Sequence, residues 1–420
     1  MKIESKLLHS GYEPKNGEPQ ALPIYQSTTF KYDSTDTVGA LFDLTQSGYF
    51  YSRIANPTVG AVEAKIAELE GGVGAMCTTS GQSASFIALM NLLESGDHVV
   101  SSSTIYGGTF NLFAITFKKF GIEVSFVDPD ADEATLNAAF KPNTKAMFGE
   151  IMANPSLNVL DLSKWSKVAH GHDVPLLIDN TFATPYLCQP ISFGADIVIH
   201  STTKYMDGHA LNVGGVIVDS GNFNWDNGKF PGLCTPDESY HGLVYTQVFG
   251  KAAFITKARV QLMRDLGCYP SAMNAFLLNL GLETLAVRMD RYCFNAQKTA
   301  EYLSTNPLVK KISYPGLKDD KYYDLAQKYL PKGASGVISF ELESREKAVK
   351  FMDALKLASI EVHVADIRTC VLHPASSTHR QLNDQQLIEC GINPGMIRLS
   401  VGLENVDDII DDLKQAFAQL

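Results

Sequence analysis

The sequence predicts an α/β fold, with a mostly parallel central sheet carrying helices on both faces and a smaller α+β C-terminal domain. Three observations lead there. Short apolar runs of strand length recur through the first half of the chain, at 75–79, 98–102, 123–127, 146–151, 175–178, 195–199 and 214–219. The runs 175–178 and 195–199 are continuous rather than alternating, as expected of strands covered on both faces. Helical segments separate many of them, at 58–70, 84–93, 132–140 and from an N-cap at Asp161, and such βα alternation builds parallel sheets. After Asn306-Pro307 the order changes: strands 311–314, 336–342 and 396–401 alternate with helices 322–329, 345–355 and 406–418.

The densest chemistry follows the runs 175–178 and 195–199. The first ends in Asp179-Asn180-Thr181 and the second in His200-Ser201-Thr202-Thr203-Lys204. Ligands of open α/β sheets bind outside the carboxyl ends of the strands, so a carboxylate and an amine reach one rim. Such a pair can be a structural ion pair. It can also be a lysine that forms a Schiff base, with the aspartate keeping a proton on a pyridine nitrogen, the arrangement of pyridoxal phosphate sites. The hydroxyls of Ser201 and Thr203 then flank the lysine where a phosphate needs donors.

The run D-N-T-F-A-T-P-Y, its spacing to H-S-T-T-K-Y and the following G-H-x-x-x-x-G-G-V-I-V-D-S resemble the Cys/Met-metabolism family of pyridoxal phosphate enzymes. The likeness runs from L-H-S-G near the start to M-I-R-L-S-V-G-L-E near the end. Within the family the chain looks most like the O-acetylhomoserine sulfhydrylases. The resemblance implies a fold-type-I transferase, pyridoxal 5'-phosphate as cofactor, Lys204 as its covalent anchor and Asp179 as the partner of its ring nitrogen.

Composition sets the outer bounds. A chain of 420 residues with 45% hydrophobic and 19% charged residues has room for two or three domains and an ample core. The net charge of −11 argues against a nucleic-acid partner. No apolar run reaches the roughly 18 residues of a membrane span, and the start lacks a secretory leader, so a cytoplasmic location is expected. The 7 cysteines include no C-x-x-C pair and read as reduced thiols. His373 and His379 lack further ligands nearby, so no metal site is expected.

Residues 1–60, rich in Gly, Pro, Tyr and Thr, read as an arm. The rest divides into a large domain at 61–265 and a C-terminal domain at 266–420. The patch Tyr51-Ser52-Arg53-Ile54-Ala55-Asn56-Pro57-Thr58 could be an aromatic turn; the resemblance implies that Tyr51 and Arg53 reach the cofactor phosphate of a neighbouring subunit, with arginine suited to bidentate phosphate binding. That implies a homo-oligomer, expected as a tetramer built from two dimers.

Ser80-Gly81-Gln82-Ser83 opens a helix, and a turn there presents free N–H groups to an anion. The resemblance gives Ser80, Gly81 and Gln82 to the phosphate. It likewise implies that Tyr106 stacks on the pyridine and protonates the leaving group, and that Asn154 contacts the cofactor oxygen and the substrate carboxylate. Gly108, where the methionine γ-lyase branch usually has cysteine, and the irregular segment 221–240 both favour the sulfhydrylases. Long helices are expected at 243–266 and 271–303. Arg398 is the only basic residue of an apolar strand; a buried carboxylate could pair with it, and the resemblance implies the substrate α-carboxylate instead. Thr369 stands where the sulfhydrylases have a serine that seats this carboxylate, beside the departing Arg368.

The implied reaction replaces the acetoxy group of O-acetyl-L-homoserine by sulfide or a small thiol, giving homocysteine. Methionine γ-lyase and cystathionine γ-synthase chemistry are the alternatives on the same site.

Overall fold

The computed structural model describes residues 1–377, 380, 385 and 393–420. His379 and Cys390 lie outside the described residues. Seven strands form the larger sheet: β1 (Gly74–Thr78), β2 (His98–Ser102), β3 (Glu123–Val127), β4 (Thr144–Glu150), β5 (Leu176–Asp179), β6 (Ile197–His200) and β7 (Gly215–Asp219), in the order β1-β7-β6-β5-β4-β2-β3. Pairing from β6 through β5, β4 and β2 to β3 is parallel. Alternate residues enter opposite apolar layers: Leu176, Ile178, Val198 and Val218 on one face, Leu177, Ile197, Ile199 and Ile217 on the other. Burial on both faces is why these runs are continuous in sequence.

Strand β7 departs from the pattern and runs antiparallel to both β1 and β6. A parallel return needs a crossover, commonly a helix, whereas an antiparallel neighbour does not. Residues 201–214 between β6 and β7 form turns and no helix, so the chain carrying Lys204 folds back on the rim of the sheet.

The expected helix at 243–266 is broken. Tyr245–Phe249 ends at Gly250, whose φ of +52° no helix continues, and Ala253–Lys257 runs into a widened turn at Ala258–Met263. The expected helix at 271–303 is two, Ala272–Glu283 and Leu285–Ser304, interrupted at Thr284. The break has a use: buried Arg288 donates to the carbonyls of Gly281 at 2.6 Å and of Tyr205 at 2.7 Å, clamping the residue after Lys204.

The smaller sheet contains β8 (Lys311–Ser313), β9 (Val337–Glu341), β10 (Ser359–Ile360), β11 (Cys370–Leu372) and β12 (Met396–Ser400), in the order β10-β11-β12-β9-β8. Strands β10 and β11 are too short to leave a sequence pattern. The arm holds two helices, Ile3–His9 and Thr35–Phe42. Segment 221–240 is packed rather than loose: Trp225, Phe230 and Leu233 are buried, and Trp225 stacks on Phe254 with ring centroids 5.2 Å apart. Among the described residues no helix is long and apolar enough to cross a membrane.

Candidate active site

Asp179 ends β5, and two hydrogen bonds fix it. The Thr181 N–H and hydroxyl donate to Asp179 Oδ1 at 2.9 and 2.5 Å, while Thr181 Oγ1 accepts from the Ser201 N–H at 2.8 Å. The ends of β5 and β6 are thereby laced together three residues before Lys204. In register beside Asp179 on β4 lies Glu150, whose Oε1 accepts from the Tyr106 N–H at 2.6 Å. Burial raises both carboxyls. For Glu150 the charge of Asp179 adds to burial and pushes it well up, whereas the Thr181 hydrogen bonds and His200 pull Asp179 back. Of the two, Glu150 is therefore held the more strongly toward its protonated form.

Burial, and then the charge of Arg398, lower Lys204 to about 8. Its Nζ lies 3.3 Å from Nδ1 of His363, a residue that the sequence reading passed over. No motif marks His363; it is near Lys204 only because the loop before β11 folds over the large sheet.

The helix Gly81–Met90 begins against the same rim. Ser80 caps it, its Oγ accepting from the Ser83 N–H at 3.1 Å. A Cβ on Gly81 would stand 2.7 Å from the Ser201 Cβ, so glycine lets the first helical N–H groups approach the lysine loop. This cradle of N–H donors beside Ser201 fits a phosphate. Gln82 accepts from the Thr109 hydroxyl at 3.1 Å, and a Cβ on Gly108 would sit 2.5 Å from the Tyr106 ring. Thr203 is used differently from the expectation: its hydroxyl donates to the Gly214 carbonyl at 3.2 Å and accepts from the Gly214 N–H at 3.0 Å, closing the loop.

Arg398, on β12, is 6% exposed. Its Nη1 donates to Asn154 Oδ1 at 3.2 Å and its Nη2 to the His363 carbonyl at 2.9 Å, while Nε is buried without a hydrogen-bond partner. Among the described residues no carboxylate pairs with it, and burial lowers its basicity. A buried guanidinium held only by neutral oxygens fits an incoming carboxylate. The half-exposed Tyr106 ring stands on the same rim.

Three predicted residues lie apart from this group. Thr369 donates its hydroxyl to Glu404 at 2.8 Å and accepts from the Gly402 N–H at 2.9 Å, supporting a strand end. Tyr51 is exposed, with the Arg53 guanidinium 5.1 Å above its ring, and Arg53 donates to the Arg264 carbonyl.

A two-sided mostly parallel sheet whose rim gathers Lys204, Asp179 and a helix N-terminus, with a second sheet adding Arg398, defines a fold-type-I pyridoxal phosphate enzyme. The profile of the Cys/Met metabolism PLP-dependent enzymes matches residues 4–418, and the chain belongs to that family. It is 46% identical to the O-acetyl-L-homoserine sulfhydrylase of Leptospira meyeri, over 100% of this chain and 97% of the relative. It is 44% identical to the homocysteine/cysteine synthase of Kluyveromyces lactis, over 98% and 96%. A crystal structure from Campylobacter jejuni, provisionally described as an O-acetylhomoserine (thiol)-lyase, superposes with a TM-score of 0.96 at 38% identity and covers 100% of both chains; it carries a pyridoxyl-lysine phosphate group.

Proposed function

We propose that the chain is a pyridoxal phosphate-dependent sulfhydrylase that replaces the acetoxy group of O-acetyl-L-homoserine by sulfide or a small thiol, giving L-homocysteine from sulfide and releasing acetate. The observation that carries this reading is end-to-end similarity to proteins named for that reaction, above 40% identity with no large part of either chain unmatched. The cofactor, when bound, supplies the electron sink that makes the protons of the substrate's α and β carbons removable.

The residues divide the remaining work. Arg398, with Asn154, holds the substrate carboxylate and so fixes the α carbon. Lys204 anchors the cofactor and, once displaced by the substrate amine, takes the α proton and later a β proton; an amine lowered to about 8 is neutral often enough to act near neutral pH. Asp179, fixed by Thr181 beside the more strongly raised Glu150, would hold the proton of the ring nitrogen. Tyr106 covers the ring and donates a proton to the departing acetate. The N–H groups of Gly81 and Gln82, with the Ser80 and Ser201 hydroxyls, take the phosphate, and Thr203 shapes the loop around it.

Tyr51 and Arg53 complete the phosphate site of a second subunit in this reading. Exposed Leu211 and Val213, on the lysine loop itself, support burial of this rim by another copy. The assembly is a homotetramer made of two dimers, in the cytoplasm, each chain comprising an arm (1–60), a large domain (61–265) and a C-terminal domain (266–420).

Product analysis tests the reaction. O-acetyl-L-homoserine with sulfide should yield homocysteine and acetate; faster release of methanethiol from methionine alone would overturn the assignment. Mixing Lys204→Ala and Arg53→Ala chains tests the shared site: hybrids should regain activity that neither parent has, and no recovery on mixing under conditions that exchange subunits would refute it.

A further inference from the structure

We propose that His363 is a positioning residue for Lys204, a neutral imidazole that accepts a hydrogen bond from its Nζ and so restricts the direction of its lone pair and strengthens its hold on a proton. The proposal rests on the reading of Lys204 as the cofactor-bearing lysine.

The contact is direct, Nζ to Nδ1 at 3.3 Å. The main chain that carries the ring is held from behind, because the His363 carbonyl accepts from Arg398 Nη2 at 2.9 Å and from the Cys370 thiol at 3.6 Å. The residue that binds substrate on this reading therefore also places the imidazole over the lysine. Burial, then the charge of Lys204, lower His363 to about 4; Arg398 and Arg368 act in the same direction and Asp366 opposes them. The ring is neutral at working pH.

A neutral imidazole offers one acceptor nitrogen, and an ammonium group offers only donors. Nδ1 therefore accepts from Lys204 and the ring proton sits on Nε2, which is buried without a partner. When Lys204 gives up a proton, retaining one N–H on His363 stops free rotation about its last bond. The lone pair is then kept off the imidazole and confined to the two remaining staggered positions rather than three, which favours the alignment a proton abstraction requires. A neutral acceptor also stabilises the ammonium more than the amine. His363 thus raises the affinity of Lys204 for its proton, against burial and Arg398, which lower it.

The test compares His363→Leu with His363→Asn, two side chains of nearly equal volume of which only the second can accept a hydrogen bond. The readout is the pH dependence of pyridoxal phosphate attachment to cofactor-free protein, trapped with borohydride and located by peptide mapping, alongside steady-state kinetics. In His363→Leu the midpoint of attachment at Lys204 should fall by about one pH unit and kcat by about tenfold, the size of one hydrogen bond to a charged group. His363→Asn should restore the midpoint. Should the leucine variant not fold, His363→Ala against His363→Asn gives the same comparison. A wild-type midpoint in the variant lacking the acceptor overturns the proposal while leaving Lys204 as the anchor. Attachment at another lysine in the wild-type protein overturns both.

Discussion

The Nη1 of Arg398 donates to the Oδ1 of Asn154 at 3.2 Å, across the seam between the two sheets. Asn154 follows β4 of the large sheet, and Arg398 lies on β12 of the small one. A second bond runs beside it: Ser339, the register partner of Arg398 on β9, donates its hydroxyl to the Pro155 carbonyl at 2.5 Å. The two sheets are therefore tied together at one point, beside Arg398 and Asn154. Arg398 makes contacts on both sides of the seam, and its Nε is buried without a hydrogen-bond partner.

Replacing Arg398 by methionine separates function from stability. Burying a guanidinium without an anion costs free energy that a well-packed apolar chain of similar length does not. Arg398→Met should lower kcat/KM by roughly two to three orders of magnitude, chiefly through KM, as expected for loss of two charge-assisted hydrogen bonds. Denaturant unfolding of the cofactor-free protein should show a gain of about 1–3 kcal/mol. Unaltered KM with reduced stability would mean that the guanidinium serves the fold.

Lys204 carries a stability signature of its own. Its amine is lowered from 10.5 to about 8 by burial. Between those two values the unfolded chain binds more protons than the folded one, so stability rises with pH across this window and is constant above it. The cofactor-free protein should gain about 3 kcal/mol from pH 8 to pH 10.5, to order of magnitude, relative to Lys204→Ala, in which the group is absent. The same variant should have no turnover while still holding pyridoxal phosphate non-covalently. Parallel pH–stability curves for the two proteins would show that burial does not displace the amine.

Glu150 has the opposite slope. Its carboxyl is pushed well up by burial and by Asp179, so above the ordinary carboxylate range the folded state binds the extra proton and stability declines as pH rises. Glu150→Gln keeps an acceptor for the Tyr106 N–H and removes the titration; it should flatten that decline and leave kcat within about threefold of wild type. Glu150→Ala leaves the Tyr106 N–H without its acceptor and should cost about 1–3 kcal/mol. A Glu150→Gln enzyme as inactive as Lys204→Ala would show that the carboxylate charge itself is required.

The positions of the strands along the chain and the rim after β5 and β6 were legible because β5 and β6 are buried on both faces and end at Asp179 and His200. The reversal of β7 was not, since strand direction depends on what the connection contains, and 201–214 gives no local signal of turning back. The break at Thr284 also escaped the pattern: both halves keep helical periodicity, and the interruption lets Arg288 reach the carbonyl of Tyr205, far away in sequence. Motif resemblance singled out Arg398 and Asn154, which the structure brings into contact. It could not find His363, which gains its meaning from a fold of the second sheet over the first, nor tell that the Thr369 hydroxyl is taken up by Glu404.

Gly81 gives the most direct test of the phosphate cradle. Its backbone does not have a positive φ, so alanine is acceptable to the main chain and would ordinarily favour a helix start as well as glycine does. The obstacle is a neighbour: the new Cβ would lie 2.7 Å from the Ser201 Cβ and 2.9 Å from its Cα, the second of these main-chain and unable to swing aside. Relief requires moving either the helix N-terminus or the segment from Ser201 to Lys204, and moving Ser201 breaks its bond to Thr181, which also orients Asp179. Gly81→Ala should therefore fold yet bind pyridoxal phosphate about tenfold or more weakly, read by fluorescence titration of cofactor-free protein, in line with the 1–3 kcal/mol cost of overpacking. Gly171→Ala, at a helix end with open space around the added atom, is the control and should bind as wild type does. Equal affinity in both variants would place the phosphate away from this helix, because no anion could sit on those N–H groups and ignore a shift of the segment that carries Lys204.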